Sequence, residues 1–403
     1  MRNLQIYVHI PFCVKKCNYC DFLSFSCDER TQLEYADALI REIKVYGTQM
    51  KDYIVSTIYI GGGTPSWLDE DKLLEILDTI YKNFKVSEDA EISMECNPGT
   101  VTAGKLAKYR MAGINRLSIG LQSADDEELK ILGRIHTFEQ FVKTYELARN
   151  AGFANINVDL ISGIPYQTTE KFLKTLQKVV WLKPNHISAY SLIIEKGTPF
   201  YETYKFDAVK QEAGMPTEVL PTEDEVYRIY KMTQEYLERA GYQQYEISNF
   251  AQQGFECVHN IGYWTRENYL GLGLGAASLI ENVRYTNTTD LYEYIDGTKD
   301  IQEKCFAQED APAVAGMNLH EYAGVVSRKA QMEEFMFLGL RMTEGITRER
   351  FFREFGISIE GVYLDVLEKL KAEDLIDTRE GRIVLTEKGA DLSNYVLAQF
   401  LID

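Results

Sequence analysis

The residues with the most distinctive chemistry stand near the start of this 403-residue chain. Cys13-x3-Cys17-x2-Cys20 puts three thiols within eight residues, close enough to converge on one soft-metal site. A structural zinc site takes four protein ligands. This set supplies three; the next cysteine is Cys27, and His9 stands four residues ahead of Cys13 in a strand-like run. Three thiolates on a four-iron cluster would leave one iron open to an outside ligand, which is a reactive arrangement. A zinc loop or three unrelated core cysteines are the plainer alternatives. The seven cysteines are an odd number, which favours metal or redox chemistry over a disulfide framework. Cys96 and Cys305 read as buried or incidental thiols.

Further along, Gly61-Gly62-Gly63-Thr64-Pro65 is a turn in which backbone can approach a ligand closely. It lacks the Gly-Lys-Ser/Thr ending of a phosphate-binding P-loop, and taken alone it is a plain tight turn. Glu95, in Glu95-Cys96-Asn97-Pro98, can accept hydrogen bonds from hydroxyls or an ammonium. Downstream, Cys257-Val258-His259-Asn260-Ile261-Gly262-Tyr263-Trp264 sets an imidazole beside a polar anchor and two flat aromatic faces. Imidazole is a common axial ligand of haem iron, and aromatics stack on porphyrins. A hydrogen-bonded core histidine in an aromatic cluster is the competing reading. There is no C-x-x-C-H haem-attachment motif; Cys257 remains open as a nearby thiolate ligand.

These residues need a scaffold, and the apolar runs supply one. Strands are expected at Ile6–Ile10, Thr57–Ile60, Glu91–Cys96, Arg116–Leu121, Ile156–Ile161 and His186–Ile194. Helical spacing lies between them, as in Leu73, Leu77, Ile80 and Phe84, with Asp69, Glu70 and Asp71 at the acidic start. Gly113 and Gly152 read as helix stops. Six strands alternating with helices predict parallel βα units in an open or partial (β/α)6 barrel, an α/β fold. Its functional mouth belongs at the C-terminal ends of the strands. The cysteines, the glycine turn, Glu95, Gln122 and Asp159 all fall at or near those ends. Residues 1–205 are read as this barrel, 206–302 as an extension carrying the His259 motif, and 303–320 as a connector. Residues 321–403 read as a winged-helix-like α+β domain, with a hairpin at Leu375–Asp377 and Arg382–Leu385. Glu212–Glu225 reads as an acidic surface loop and Thr222–Ala240 as a helix.

The run Tyr7-Val8-His9-Ile10-Pro11-Phe12-Cys13-Val14-Lys15-Lys16-Cys17-Asn18-Tyr19-Cys20 resembles radical S-adenosylmethionine (SAM) enzymes. More narrowly, it resembles the oxygen-independent coproporphyrinogen III oxidase-like family, from Tyr7 through the C-terminal domain. The resemblance implies that Cys13, Cys17 and Cys20 hold a [4Fe-4S] cluster whose fourth iron is chelated by SAM. The reduced cluster would then cleave SAM to methionine and a 5′-deoxyadenosyl radical. It also implies SAM contacts from Tyr7, Tyr19, Gly62, Gly63, Thr64, Glu95, Gln122, Arg134 and Asp159. Arg134 would pair with the methionyl carboxylate. The His259-Asn260-x-x-Tyr263-Trp264 pattern matches the haem-chaperone branch of the family, which implies haem as a further cofactor with His259 on its iron.

Two departures separate the chain from the true oxidases of that family. Those carry a fourth cysteine two residues after the third; Phe22 stands there instead. They also carry an arm ahead of the first strand, whereas six residues precede Tyr7 here. The leading expectation is therefore a haem chaperone delivering haem to haemoproteins, membrane-associated respiratory ones included, with a homodimer as a plausible assembly. Oxidative decarboxylation of coproporphyrinogen III is the alternative, with radical methylation or haem degradation behind it. A winged-helix DNA binder is the least favoured, because 43 Lys and Arg against 61 Asp and Glu give a net charge of −18. No apolar stretch long enough for a transmembrane helix and no leader pattern are found, which predicts a cytoplasmic protein.

Overall fold

The computed structural model describes residues 1–300 and 319–402. The expected strands are present: β1 Arg2–Ile10, β2 Tyr53–Gly62, β3 Val86–Cys96, β4 Arg116–Gln122, β5 Asn155–Ser162 and β6 His186–Ser191. They pair in parallel in sequence order, and the sheet does not close. This is a partial (β/α)6 barrel, an α/β fold, as the alternation of runs and helices predicts. Strand β6 ends at Ser191, short of the expected Ile194, where the Leu192 N–H turns back to Ser162 O.

Helices cover the outer face because their apolar residues recur every three or four positions. In the helix Glu29–Gln49, Tyr35, Leu39, Ile43 and Tyr46 are all buried. Side-chain caps fix the starts: Asp28, Asp69, Thr102, Thr137 and Thr168 each accept a backbone N–H from the first turn. Gly113 and Gly152, at φ +103° and +90°, follow the caps of the helices Ala103–Met111 and Phe138–Asn150.

The inner face is different. Thr57 and Tyr59 on β2, Ser93 and Glu95 on β3, Ser118 and Gly120 on β4, Asn157 and Asp159 on β5, and His186 and Ser188 on β6 alternate with buried aliphatics. The barrel interior is thus a polar column within an apolar shell.

The extension widens this sheet on both edges. Short strands β7 Gln243–Glu246 and β8 Asn249–Ala251 join at β6, with β8 antiparallel to it. On the other edge β9 Tyr269–Leu272 runs parallel to β1, followed by β10 Ala277–Ile280, β11 Val283–Asn287 and β12 His320–Val325, giving twelve strands. The sheet therefore continues past residue 320. Nearly all of the expected connector 303–320, with Cys305, lies outside the described residues.

The acidic loop expected at Glu212–Glu225 lies between two helices, as expected. The helix before it, Pro199–Glu212, starts at a Thr198 cap followed by Pro199 and was not singled out from the sequence. The loop that follows is pinned by Asp207, whose carboxylate accepts N–H bonds from Glu218, Val219 and Leu220 at 2.8 Å each. Thr222 caps the next helix, Glu223–Arg239.

The C-terminal unit has the helices Arg328–Gly339, Arg348–Phe355 and Glu360–Ala372 and a hairpin of β14 Ile376–Arg379 and β15 Arg382–Leu385. A two-residue strand β13, Ile346–Thr347, completes a three-stranded sheet. Phe335, Phe351, Phe355, Tyr363 and Phe400 form its separate core.

Candidate cluster and cofactor site

A cavity of about 440 Å³ opens at the C-terminal ends of the barrel strands. Cys13, Cys17 and Cys20 all line it and are half-buried. Their loop is held at both ends by backbone: Cys13 N–H donates to Phe25 O at 3.0 Å, and Asn18 N–H to Leu132 O at 3.0 Å. The sulfurs have polar neighbours of their own. Thr64 Oγ1 donates to Cys13 Sγ at 3.5 Å, Arg134 Nη1 to Cys17 Sγ at 3.7 Å, and Cys20 Sγ lies 3.9 Å from Ser24 Oγ. Among the described residues no group of three His, Cys, Asp or Glu side chains converges on a single metal ion.

The same cavity is lined by Gly62, Gly63, Thr64, Glu95, Gln122, Arg134 and Asp159, with Thr64 and Arg134 against the cysteine sulfurs, and by Tyr19. Gly62 N–H and Tyr59 OH donate to the Glu95 carboxylate at 3.0 and 3.1 Å. Burial, and then the charge of Asp159, push the Glu95 carboxyl up to about 7. Asp159 accepts from Ser118 Oγ at 2.7 Å and Asn157 Nδ2 at 2.8 Å, and burial raises its carboxyl too. Arg134 Nη2 donates to Asn97 Oδ1 at 2.7 Å and Gly120 O at 2.8 Å. Its Nε is buried without a partner among the described residues, an orphaned donor on the cavity wall that a ligand carboxylate would satisfy. Gln122 sits at φ +71°, closing β4.

Tyr59, Asn97 and Ser118 also line the cavity, and sequence reasoning singled out neither Tyr59 nor Ser118. Their signal was the polar alternation inside strands read as simple apolar runs. Tyr7 stands behind the wall instead. Its hydroxyl meets His9 Nδ1 at 2.9 Å and its ring stacks on Tyr59 at 6.3 Å.

The His259 motif lies elsewhere. The short helix Val258–Trp264 closes the N-terminal end of the barrel, beneath the cavity floor. Glu91 accepts the N–H groups of Val258 and His259 at 3.1 and 3.2 Å and faces the Cys257 thiol at 3.5 Å. His259 is 1% exposed. Its Nδ1 meets Thr57 Oγ1 at 2.7 Å, its Nε2 meets Tyr263 OH at 3.1 Å, and its ring stacks on Tyr59 at 5.1 Å. Burial, and then the charge of Arg116, lower this imidazole to about 3, so it stays neutral. Tyr263 packs edge-on against Tyr269, Asn260 is half-buried, and Trp264 faces away, with the Arg341 guanidinium over its ring at 4.5 Å. None of the four lines the cavity, and Cys257 is fully buried.

Residues 7–179 match the model of the Radical SAM superfamily, and residues 326–392 match the HemN C-terminal domain. The chain is 37% identical over 398 residues to "Heme chaperone HemW" of Bacillus subtilis, covering 98% of each. It is 40% identical over 401 residues to "Heme chaperone HemW" of Escherichia coli, covering 99% of this chain and 98% of that one. This chain belongs to the HemW family of radical SAM proteins. Coproporphyrinogen III oxidase (HemN) of Escherichia coli, a solved structure, superposes with a TM-score of 0.83 at 25% identity, over 99% of this chain and 90% of that one. This chain and that oxidase thus share one architecture, and function has to be argued from the site.

Proposed function

We propose that this chain is a haem chaperone that binds haem and passes it to haem-accepting proteins, with a [4Fe-4S] cluster and SAM as its own cofactors. Its end-to-end relation to proteins named heme chaperone HemW carries this reading. Cys13, Cys17 and Cys20 would hold the cluster, since three thiols facing one cavity suit a polynuclear iron site. Arg134 would take the SAM carboxylate on its free Nε, and Glu95 and Asp159 would receive hydroxyl or ammonium donors. Gly62, Gly63, Thr64, Gln122 and Tyr19 would shape the same pocket, and Tyr7 would support it from behind. When bound, cluster and SAM supply one-electron chemistry at the iron that the protein leaves open. We place the protein in the cytoplasm, acting on acceptors that include membrane-associated respiratory haemoproteins, with a homodimer as its assembly. Among the described residues no helix is long and apolar enough to cross a membrane.

Haem ligation by His259 rests on the motif. As the ring is placed, both nitrogens are engaged, so ligation requires breaking one of these bonds and opening the barrel floor. The test is to reconstitute the cluster anaerobically and titrate haem into wild-type and His259→Ala protein, following the Soret band. Stoichiometric binding by the wild type is expected. Its loss in the variant assigns the iron to His259; its retention places haem elsewhere on this chain. No binding by the wild type removes the chaperone reading in favour of porphyrinogen turnover.

A further inference from the structure

One side chain touches both the cavity and the barrel floor beneath it. Tyr59, on β2, is half-buried and lines the cavity, where its hydroxyl donates to Glu95 Oε1 at 3.1 Å. Its ring lies on the His259 imidazole, with centroids 5.1 Å apart and planes 27° from parallel. Thr57, Tyr59, Tyr263 and Glu91 hold His259, and of these four Tyr59 alone lines the cavity. Gly61 leaves room for the contact: a Cβ there would lie 2.9 Å from both Glu95 Oε1 and the Tyr59 ring. A second line starts at the other cavity carboxylate. Asp159 accepts from Asn157 Nδ2 at 2.8 Å, Asn157 Oδ1 meets His186 Nδ1 at 2.6 Å, His186 Nε2 meets Tyr245 OH at 2.8 Å, and Tyr245 OH accepts the Cys257 N–H at 3.3 Å. Cys257 is the cap of the helix Val258–Trp264, so both cavity carboxylates are connected to the element that carries His259.

We infer that Tyr59 couples the cavity to the hold on His259, so that a ligand donor accepted by Glu95 loosens the imidazole for haem iron. The inference rests on the haem-chaperone reading with His259 as ligand, and it gives that site its regulation. The two states differ by one acceptor. In the state seen in the structure, Glu95 Oε1 tethers the Tyr59 hydroxyl and the ring is fixed on His259. In the other, Oε1 accepts an ammonium or hydroxyl from the cavity. Glu95 Oε2 already takes the Gly62 N–H at 3.0 Å, so the two donors compete for Oε1. An ammonium is the stronger donor to a carboxylate than a phenol. Tyr59 then loses the bond that fixes its ring, and His259, without a fixed stacking partner, leaves its present bonds at lower cost. A ligand shifts such an equilibrium only by its differential affinity for the two states, and here the difference is the Glu95–Tyr59 bond. Haem held by His259 must in turn raise the affinity of the cavity for its ligand by the same factor.

The test uses full-length protein with reconstituted cluster. Haem affinity is read from the Soret band with and without saturating SAM, in wild type, Tyr59→Phe and Gly61→Ala. In the wild type SAM is expected to tighten haem binding about tenfold. Tyr59→Phe keeps the ring and removes the tether. It is expected to bind haem without SAM as tightly as the SAM-loaded wild type does, and to gain nothing when SAM is added. Its affinity for SAM, measured by equilibrium dialysis in the absence of haem, is expected to rise, because no hydroxyl competes for Glu95. A merely structural role for Tyr59 would weaken both. Gly61→Ala, whose Cβ would drive the ring and the carboxylate apart, is expected to raise SAM-free haem affinity in the same direction. Wild-type haem affinity that is the same with and without SAM would overturn the coupling and leave the chaperone reading standing. A SAM effect that persists undiminished in both variants would remove Tyr59 as the link. A wild type that binds no haem would overturn the coupling and the chaperone reading together.

Discussion

Gly62 shows how closely the site is packed at the level of single atoms. Its backbone is at φ +115°, and a Cβ there would lie 2.6 Å from the His9 ring. His9 bridges Tyr7 OH and Leu23 O, both at 2.9 Å, and so ties β1 to the far end of the cysteine loop. Gly62→Ala is expected to displace His9, lower stability by about 1–3 kcal/mol, and reduce the iron retained per chain after anaerobic reconstitution. Thermal melts with iron analysis check this; full iron and an unchanged melt would show that the ring is free to move. The sequence made this turn look like a place of close approach, but not that the approached group is the chain's own histidine. The same holds across the site. The cysteines, Glu95, Gln122 and Asp159 could be picked out because strand ends in parallel βα units carry function. Tyr59 and Ser118 could not, because they are mid-strand. The His259 motif was visible as a cluster of residue types, but nothing local says which end of the barrel it closes.

The elements are joined through buried polar groups, and Glu42 is the clearest case. It lies on the inner face of the helix Glu29–Gln49 and accepts from Gly273 N–H at 2.8 Å, Asn287 Nδ2 at 2.7 Å and Tyr294 OH at 2.5 Å. It thereby fastens that helix to the β9–β11 extension. Burial raises its carboxyl to about 7, above the ordinary 4.5. The folded state then holds the proton more tightly than the unfolded chain, so stability falls as pH rises from about 4.5 to about 7 and is level above that. Glu42 alone is expected to make the protein about 2 kcal/mol less stable at pH 8 than at pH 5.5. Glu95 acts with the same sign. Glu42→Gln should therefore flatten the pH dependence in part, as urea unfolding at the two pH values would show; an unaltered slope would remove Glu42 as a cause. The barrel helices and strands were legible because their caps and apolar spacing are local. The extension strands, three to six residues long, were not. Their partners are β1 and β6, remote in sequence, and short strands in a Tyr-, Asn- and Gly-rich segment carry little periodicity.

At the scale of the molecule, the C-terminal unit is seated against the barrel's closed end, on the side away from the cavity. Arg266, whose side chain is 3% exposed, pairs with Glu334 at 3.0 Å and Glu354 at 3.2 Å, and Arg284 reaches Glu334 at 2.7 Å. Lys231 adds Glu387 and Asp391 at 2.7 and 3.0 Å, and Arg341 lies over Trp264. The sequence pattern of three helices and a hairpin gives this unit its class, and it leaves its seat unstated, because the pairing charges sit far apart in the chain. The shared carboxylate makes the seat testable. Glu334→Ala would leave the Arg266 guanidinium buried with, among the described residues, Glu354 and Asn282 to meet it, and breaking a buried pair from one side is costly. The expected loss is about 3 kcal/mol, with faster protease cleavage between the two units. Trp264 reports the same event optically, since it lies under Arg341 whereas the other two tryptophans, Trp67 and Trp181, are already 43% and 78% exposed. A red-shifted tryptophan emission in Glu334→Ala at native pH would mark the unit lifting from the barrel. Glu334→Gln, which keeps an acceptor for one arginine, should shift it less. Emission and urea unfolding indistinguishable from wild type in both variants would mean that the apolar contacts hold the seat without these charges.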